Sequence, residues 1–225
     1  MDAERHVVIT GGTGALGAAV VARMLRDSVR CHVTYLEPRE LERFAHASSV
    51  ELHRVDCCDE AQVQALYAVL PRVDASIHLV GGFAMAPVTE TSLADFEAMQ
   101  RLNLQSAFLC CREAIKRMRP AGGRIVNVAA RPALEPAAGM IAYATAKAAV
   151  AALTRALALE VIADGILVNA VVPSTMDTPA NRRAMPKADF GRWPTVEEVA
   201  EAIAFLAGPS NAVSSGALLP VYGRA

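Results

Sequence analysis

One stretch limits the possible folds more than any other. It is the β-prone run His6–Thr10, the turn Gly11-Gly12-Thr13-Gly14-Ala15-Leu16-Gly17 and the apolar helical run 18–25. A strand that enters a glycine turn and continues as a helix opens a parallel βαβ unit. Gly12, Gly14 and Gly17 have the Gly-x-Gly-x-x-Gly spacing. In such a turn the backbone can approach a pyrophosphate resting on the exposed amides of the helix start. Residues 11–17 are therefore the candidate phosphate cradle. A tight turn without a ligand is the weaker reading, because strand and helix flank the pattern.

The same alternation continues to the end of the chain. Strand patterns cover 30–36, 50–55, 75–80, 124–129, 166–172 and 217–221. Helices are expected from the Asp59/Gln62 box, from Ser92 and Asp95 onward to Met118 with a break, over 141–163, and from the Thr195/Glu198 box. Alternating strands and helices predict an α/β protein, a single-domain Rossmann-type doubly wound parallel sheet flanked by helices and spanning 1–225. Composition agrees: 53% of residues are hydrophobic but only 5% aromatic, which calls for an aliphatic, alanine-rich core. The polar segment 173–194 is the one long stretch without a pattern. It is expected over the carboxyl ends of the strands as a substrate loop.

Other function classes are disfavoured. A net charge of −1 gives no general attraction to nucleic acid or acidic membranes. The cluster Lys116-Arg117-Met118-Arg119 precedes Pro120 and two glycines and reads as a helix end whose dipole the cations complement. The start, Met1-Asp2-Ala3-Glu4-Arg5, followed by only four apolar residues, is not a signal peptide, and no apolar run has the length of a membrane span. Five cysteines, four of them in adjacent pairs, suggest reduced thiols and a cytoplasmic protein. The histidines at 6, 32, 46, 53 and 78 are scattered without ligand spacing, so no metal is expected.

Tyr143 and Lys147 stand four residues apart in a helical pattern and so share a face. An ammonium beside a phenol favours the phenolate, drawing the tyrosine toward the range where it can exchange a proton at neutral pH. Glu37 follows the second strand, twenty residues beyond Gly17, where a carboxylate takes ribose hydroxyls and repels a 2′-phosphate. This favours NADH, with NADPH possible through Arg39. Asp56, after the third strand, borders the adenine side of the same crevice.

With these residues, Asn103 and the loop after Pro173, the chain resembles the short-chain dehydrogenase/reductase family over nearly its full length. The resemblance implies that Tyr143 is the proton donor, that Lys147 holds the nicotinamide ribose and tunes Tyr143, and that Asn103 supports a proton relay. It also implies that Gly81, Gly82, Pro173 and Thr178 reach the cofactor. Three positions depart from the family's commonest pattern: Ala15 in the glycine turn, His78-Leu79-Val80-Gly81 for Asn-Asn-Ala-Gly, and Ala130 thirteen residues before Tyr143, where the family has its catalytic serine.

Within the family the chain is most similar to the dihydropteridine reductases, which also lack that serine. Their pattern is matched at Gly81-Gly82-Phe83, Gly139-Met140-Ile141, Asp177-Thr178-Pro179, Asn181-Arg182, Met185-Pro186, Ala188-Asp189-Phe190 and Trp193. This implies a small-molecule substrate, a pterin, held by Phe83, Ala130, Met185 and Trp193. It also implies a homodimer or homotetramer paired through helices at roughly 101–118 and 141–163.

Overall fold

The computed structural model describes residues 4–119 and 121–224; the readings made on Met1–Ala3 and Pro120 lie outside them. Among the described residues seven strands form one sheet, β1 (His6–Thr10), β2 (Arg30–Tyr35), β3 (Glu51–Arg54), β4 (Ala75–His78), β5 (Gly123–Val128), β6 (Ile166–Pro173) and β7 (Leu218–Val221). Every pairing is parallel, in the order β3-β2-β1-β4-β5-β6-β7. The order reverses between β1 and β4, which opens a crevice at the carboxyl ends of these two strands.

The helices are α1 (Ala15–Leu25), α2 (Glu60–Val69), α3 (Leu93–Met99), α4 (Ser106–Met118), α5 (Ile141–Glu160), α6 (Pro179–Ala184) and α7 (Val196–Ala207). Alternation along each strand divides the core into two layers. Val7, Ile9, Val33 and Val126 face Val20, Met24, Val199 and Ile203 of α1 and α7. Val8, Ile125 and Val168 face Val63, Leu66, Leu109 and Met118 of α2 and α4. Both faces are covered, so β6 is buried at every residue and reads as an apolar run interrupted by Asn169.

The capping boxes at Ser92/Asp95 and Thr195/Glu198 are present, and the Asp59 carboxylate accepts from the Gln62 amide. The expected break before Met118 is a π-helical turn, Gln100–Gln105, between α3 and α4. The basic cluster serves more than a helix dipole. Lys116 pairs with Glu113 at 2.8 Å, Arg117 donates to the Leu70 carbonyl, and Arg119 pairs with Asp164. All five cysteines are buried and unbridged. Among the described residues no helix is long and apolar enough to cross a membrane.

Two expectations are corrected. The segment 173–194 is not irregular: Thr178 caps α6, a 3-10 turn covers Phe190–Arg192, and Arg182 holds Asp177 through two hydrogen bonds of 2.6 Å while stacking on Phe190. The histidines are not all scattered. Parallel register brings His6, His32 and His53 together with Glu51 on one face of β1, β2 and β3.

Candidate active site

The glycine turn separates three requirements. A Cβ on Gly12 would lie 2.7 Å from Val33, and one on Gly17 would lie 2.4 Å from the Gly11 carbonyl. Both glycines are needed for packing alone. Gly11 adopts φ +66°, its amide donating to Thr34. A Cβ on Gly14 would meet only an ordinary contact at 3.5 Å, so the protein itself does not require glycine there. Gly14 caps α1 without a side-chain partner, and the first turn carries no acidic residue. An open helix start with a bare backbone beside it fits a pyrophosphate.

From this turn a cleft of about 300 Å³ runs past Thr13, Gly14, Leu36, Glu40, Asp56 and Gly81. Glu37 does not line it. Glu37 is exposed, at the N-cap of the 3-10 turn Pro38–Arg43. Besides Asp56, the carboxylate on the cleft wall is Glu40, which the sequence reading missed. Glu40 accepts from the Thr13 hydroxyl and from the Glu37 amide at 2.8 Å. Partial burial pushes its pKa up, but these bonds outweigh burial and hold it below the usual carboxylate value. The signal was present as a Glu37-Pro38-Arg39-Glu40 capping box. Asp56 does reach the cleft, its carboxylate accepting from the Cys58 amide at 2.8 Å.

At the far end of the cleft the sheet and α5 bring Gly81, Asn103 and Lys147 together. A Cβ on Gly81 would lie 2.7 Å from Asn103 Oδ1 and 3.3 Å from Lys147 Nζ. Asn103 sits in the π-helical turn, a feature frequent at functional sites. Its amide donates to the Gly82 and Met99 carbonyls, at 3.2 and 3.0 Å, and its Oδ1 accepts from the Gly82 amide. Asn103 thus clamps the glycine pair. Lys147 is 7% exposed and donates to the Val128 carbonyl at 2.8 Å. Burial pushes its ammonium down to about 8.

Lys147 does not lower the phenol in this structure, contrary to expectation. Burial pushes Tyr143 up to about 12, and the Lys147 ammonium, 6.0 Å from the ring centroid, is turned to Val128. Tyr143 is therefore protonated at neutral pH, the state a proton donor requires.

Behind this constellation lies a buried polar row. The Asn127 amide donates to Thr154 at 3.0 Å, and Thr154 donates to the Val150 carbonyl, so Asn127 Oδ1 is left to accept from His78 Nδ1. His78 Nε2 then accepts from Ser76, which meets Tyr67 at 2.7 Å. The row ties α2, β4 and β5 to the helix that carries Tyr143 and Lys147.

On the substrate side, Phe83 is 59% exposed and meets Tyr143 edge-on, with centroids 5.0 Å apart. Ala130, just past β5, is buried and brings no hydroxyl. Trp193 packs on Phe190 at 5.1 Å within its own segment, and Met185 is 40% exposed. Pro173 ends β6, and Thr178 is buried with its hydroxyl accepting from the Asn181 amide.

A doubly wound sheet with a bare helix start at its switch point and a Tyr-Lys pair beyond it defines a Rossmann-type dinucleotide-dependent oxidoreductase. A family model described as "Enoyl-(Acyl carrier protein) reductase" matches residues 12–223. The chain belongs to the short-chain dehydrogenase/reductase family of NAD(P)-dependent oxidoreductases. It is 36% identical to the cis-4-hydroxycyclohexanecarboxylate dehydrogenase of Sinomonas cyclohexanicum, across 98% of this chain and 96% of that one. It is 29% identical to the cyclic-di-GMP-binding biofilm dispersal mediator protein of Escherichia coli K12, across 97% and 96% of the two chains. Among solved structures, ElxO with NADP bound superposes with a TM-score of 0.90 at 27% identity, covering 98% of each chain.

Proposed function

We propose that this protein reduces a quinonoid dihydropterin to the tetrahydropterin with NADH. The observation that carries this reading is the pairing of Tyr143 with the exposed ring of Phe83 beside a buried Ala130. Reduction of a simple ketone concentrates negative charge on one oxygen. Losing one preorganised donor there costs on the order of a hundredfold or more in rate. In a quinonoid pterin the added charge spreads over several heteroatoms as the pyrimidine ring regains conjugation, so one acid suffices. The bound nicotinamide supplies the hydride. Tyr143 donates the proton, Lys147 holds a positive charge behind it, and Phe83 offers an apolar face to the flat ring. Met185 and Trp193 belong to the segment that closes over the substrate.

The test generates quinonoid dihydropterin in situ and follows NADH oxidation by wild type, Tyr143→Phe and Ala130→Ser. Turnover by wild type that is lost in Tyr143→Phe is expected, together with a gain of ketone reduction in Ala130→Ser. Wild type inactive on pterin but active on quinones or conjugated cyclic ketones would move the substrate to that class. The cis-4-hydroxycyclohexanecarboxylate dehydrogenase that it resembles is named for a saturated ring alcohol, which favours a cyclic carbonyl over a pterin.

A reading from another class is a nucleotide-binding regulator. The missing hydroxyl at Ala130 and the likeness to the cyclic-di-GMP-binding protein favour it. Cofactor binding without turnover on any of the three substrate groups would establish it.

NADH is favoured over NADPH because Glu40 lines the cleft, with the Glu37 carboxylate three residues before it at the N-cap of the same turn. For assembly we propose a homodimer or homotetramer in the cytoplasm. Phe108 on α4 and Leu159 on α5 are 43% and 81% exposed, apolar area that pairing would cover. A monomer mass by light scattering at micromolar concentration would overturn the assembly.

A further inference from the structure

His6, His32 and Glu51 stand in the amino-terminal halves of β1, β2 and β3, with His53 two residues beyond Glu51, whereas the candidate redox site gathers beyond the carboxyl ends of the strands. His6 opens β1, His32 is the third residue of β2, and Glu51 opens β3. Glu51 is the register partner of His32, and His53 is the partner of Thr34, so all three side chains project from one face of the sheet.

We propose that His32 Nδ1, His53 Nε2 and a Glu51 carboxylate oxygen bind a divalent transition-metal ion of the zinc class, with water in the fourth position. His32 Nδ1 lies 3.1 Å from Glu51 Oε2 and 3.3 Å from His53 Nε2, and the three ligand atoms lie within 4.8 Å of one another. Metal–ligand bonds of about 2.0–2.1 Å in a tetrahedron put ligand atoms roughly 3.3 Å apart, close to the two measured edges. The single proton that His32 Nδ1 can carry serves one of its two partners. A cation between them serves all three groups.

The surroundings suit a metal. His6 Nδ1 lies 2.9 Å from His32 Nε2, where it can accept the proton of a metal-bound imidazole and fix its orientation. Arg30 holds the other oxygen of Glu51, leaving Oε2 for the site. His32 is buried while Glu51 is 41% exposed, which gives a closed floor and an open mouth. A bound ion would pin the edge strand β3 to β2.

The test titrates chelator-stripped full-length protein with Co²⁺ and then with Zn²⁺. We expect one equivalent per chain, visible bands of four-coordinate Co²⁺ without a near-ultraviolet thiolate band, and displacement by Zn²⁺. Zn²⁺ should raise the melting temperature of wild type. His53→Gln and Glu51→Gln should each weaken binding at least tenfold and abolish that rise. Glu51 lies on the surface, so its variant keeps the test open even if His53→Gln does not fold. No saturable binding, binding unchanged in Glu51→Gln, or a thiolate band reporting the buried cysteines would each overturn the proposal.

Discussion

The Lys147 ammonium donates to the main-chain carbonyl of Val128 at 2.8 Å, which joins the second turn of α5 to the end of β5. This bond, rather than the phenol four residues earlier, sets the direction of the lysine. It keeps a cation beside Gly81 and Asn103, where the glycine permits the approach that a side chain would block.

Separate roles for Tyr143 and Lys147 follow. Tyr143→Phe should lower kcat/KM by about a hundred- to ten-thousandfold, the range for loss of a general acid, with the cofactor Kd changed little. Lys147→Met should weaken cofactor binding as well. Because Lys147 sits at about 8, wild-type kcat/KM should fall as pH rises through 8 and the ammonium loses its proton. Steady-state rates against pH and fluorescence titration of NADH measure both.

Gly14 and Gly17 should fail differently. Gly17→Ala drives a methyl to 2.4 Å from the Gly11 carbonyl, so it should destabilise the fold by several kcal/mol. Gly14→Ala places its methyl in ordinary contact with the Gly11 carbonyl, at 3.5 Å and on an extended backbone, so its melting temperature should stay within a few degrees of wild type. Its cofactor affinity should nevertheless drop at least tenfold, because the methyl enters the pyrophosphate's place. Parallel melting and cofactor-binding curves separate the two effects.

Glu40→Gln should shift the ratio of NADPH to NADH affinity by tenfold or more toward NADPH, by removing a charge from the cleft wall. Glu37→Gln, at an exposed cap, should shift it less. Dissociation constants of both cofactors for the two variants decide which carboxylate reads the ribose; a larger effect at Glu37 would restore that residue to the role.

Acid should destabilise the protein through His78. Burial brings His78 from 6.5 to about 4, so the unfolded chain takes up a proton that the folded one refuses. Its contribution is fully present above pH 6.5 and is lost as pH falls toward 4, by about 3 kcal/mol over that window. Protonating Nε2 would also turn it from acceptor to donor and force the Ser76 hydroxyl to reverse. His78→Asn should flatten the loss of denaturant midpoint between pH 7 and pH 5. The same slope in both proteins would place the acid-sensitive group elsewhere.

The glycine turn, the Tyr143/Lys147 pair and the helix starts capped by Asp59, Ser92 and Thr195 were legible from residues alone, because each is set by spacing within one or two turns of chain. The doubly wound sheet followed from the alternation of such local patterns. Tertiary structure decided what depends on partners about 20 to 30 residues apart. Glu40 rather than Glu37 faces the cleft because the 3-10 turn after β2 swings its carboxylate onto Thr13. Lys147 turns to Val128 because α5 packs over the end of β5, and the same packing raises the phenol that the i,i+4 spacing alone would have lowered. His32, Glu51 and His53 meet because β2 and β3 pair in one register; a shift of one residue would send β3's contribution to the other face, and spacing along the chain carries no record of that choice.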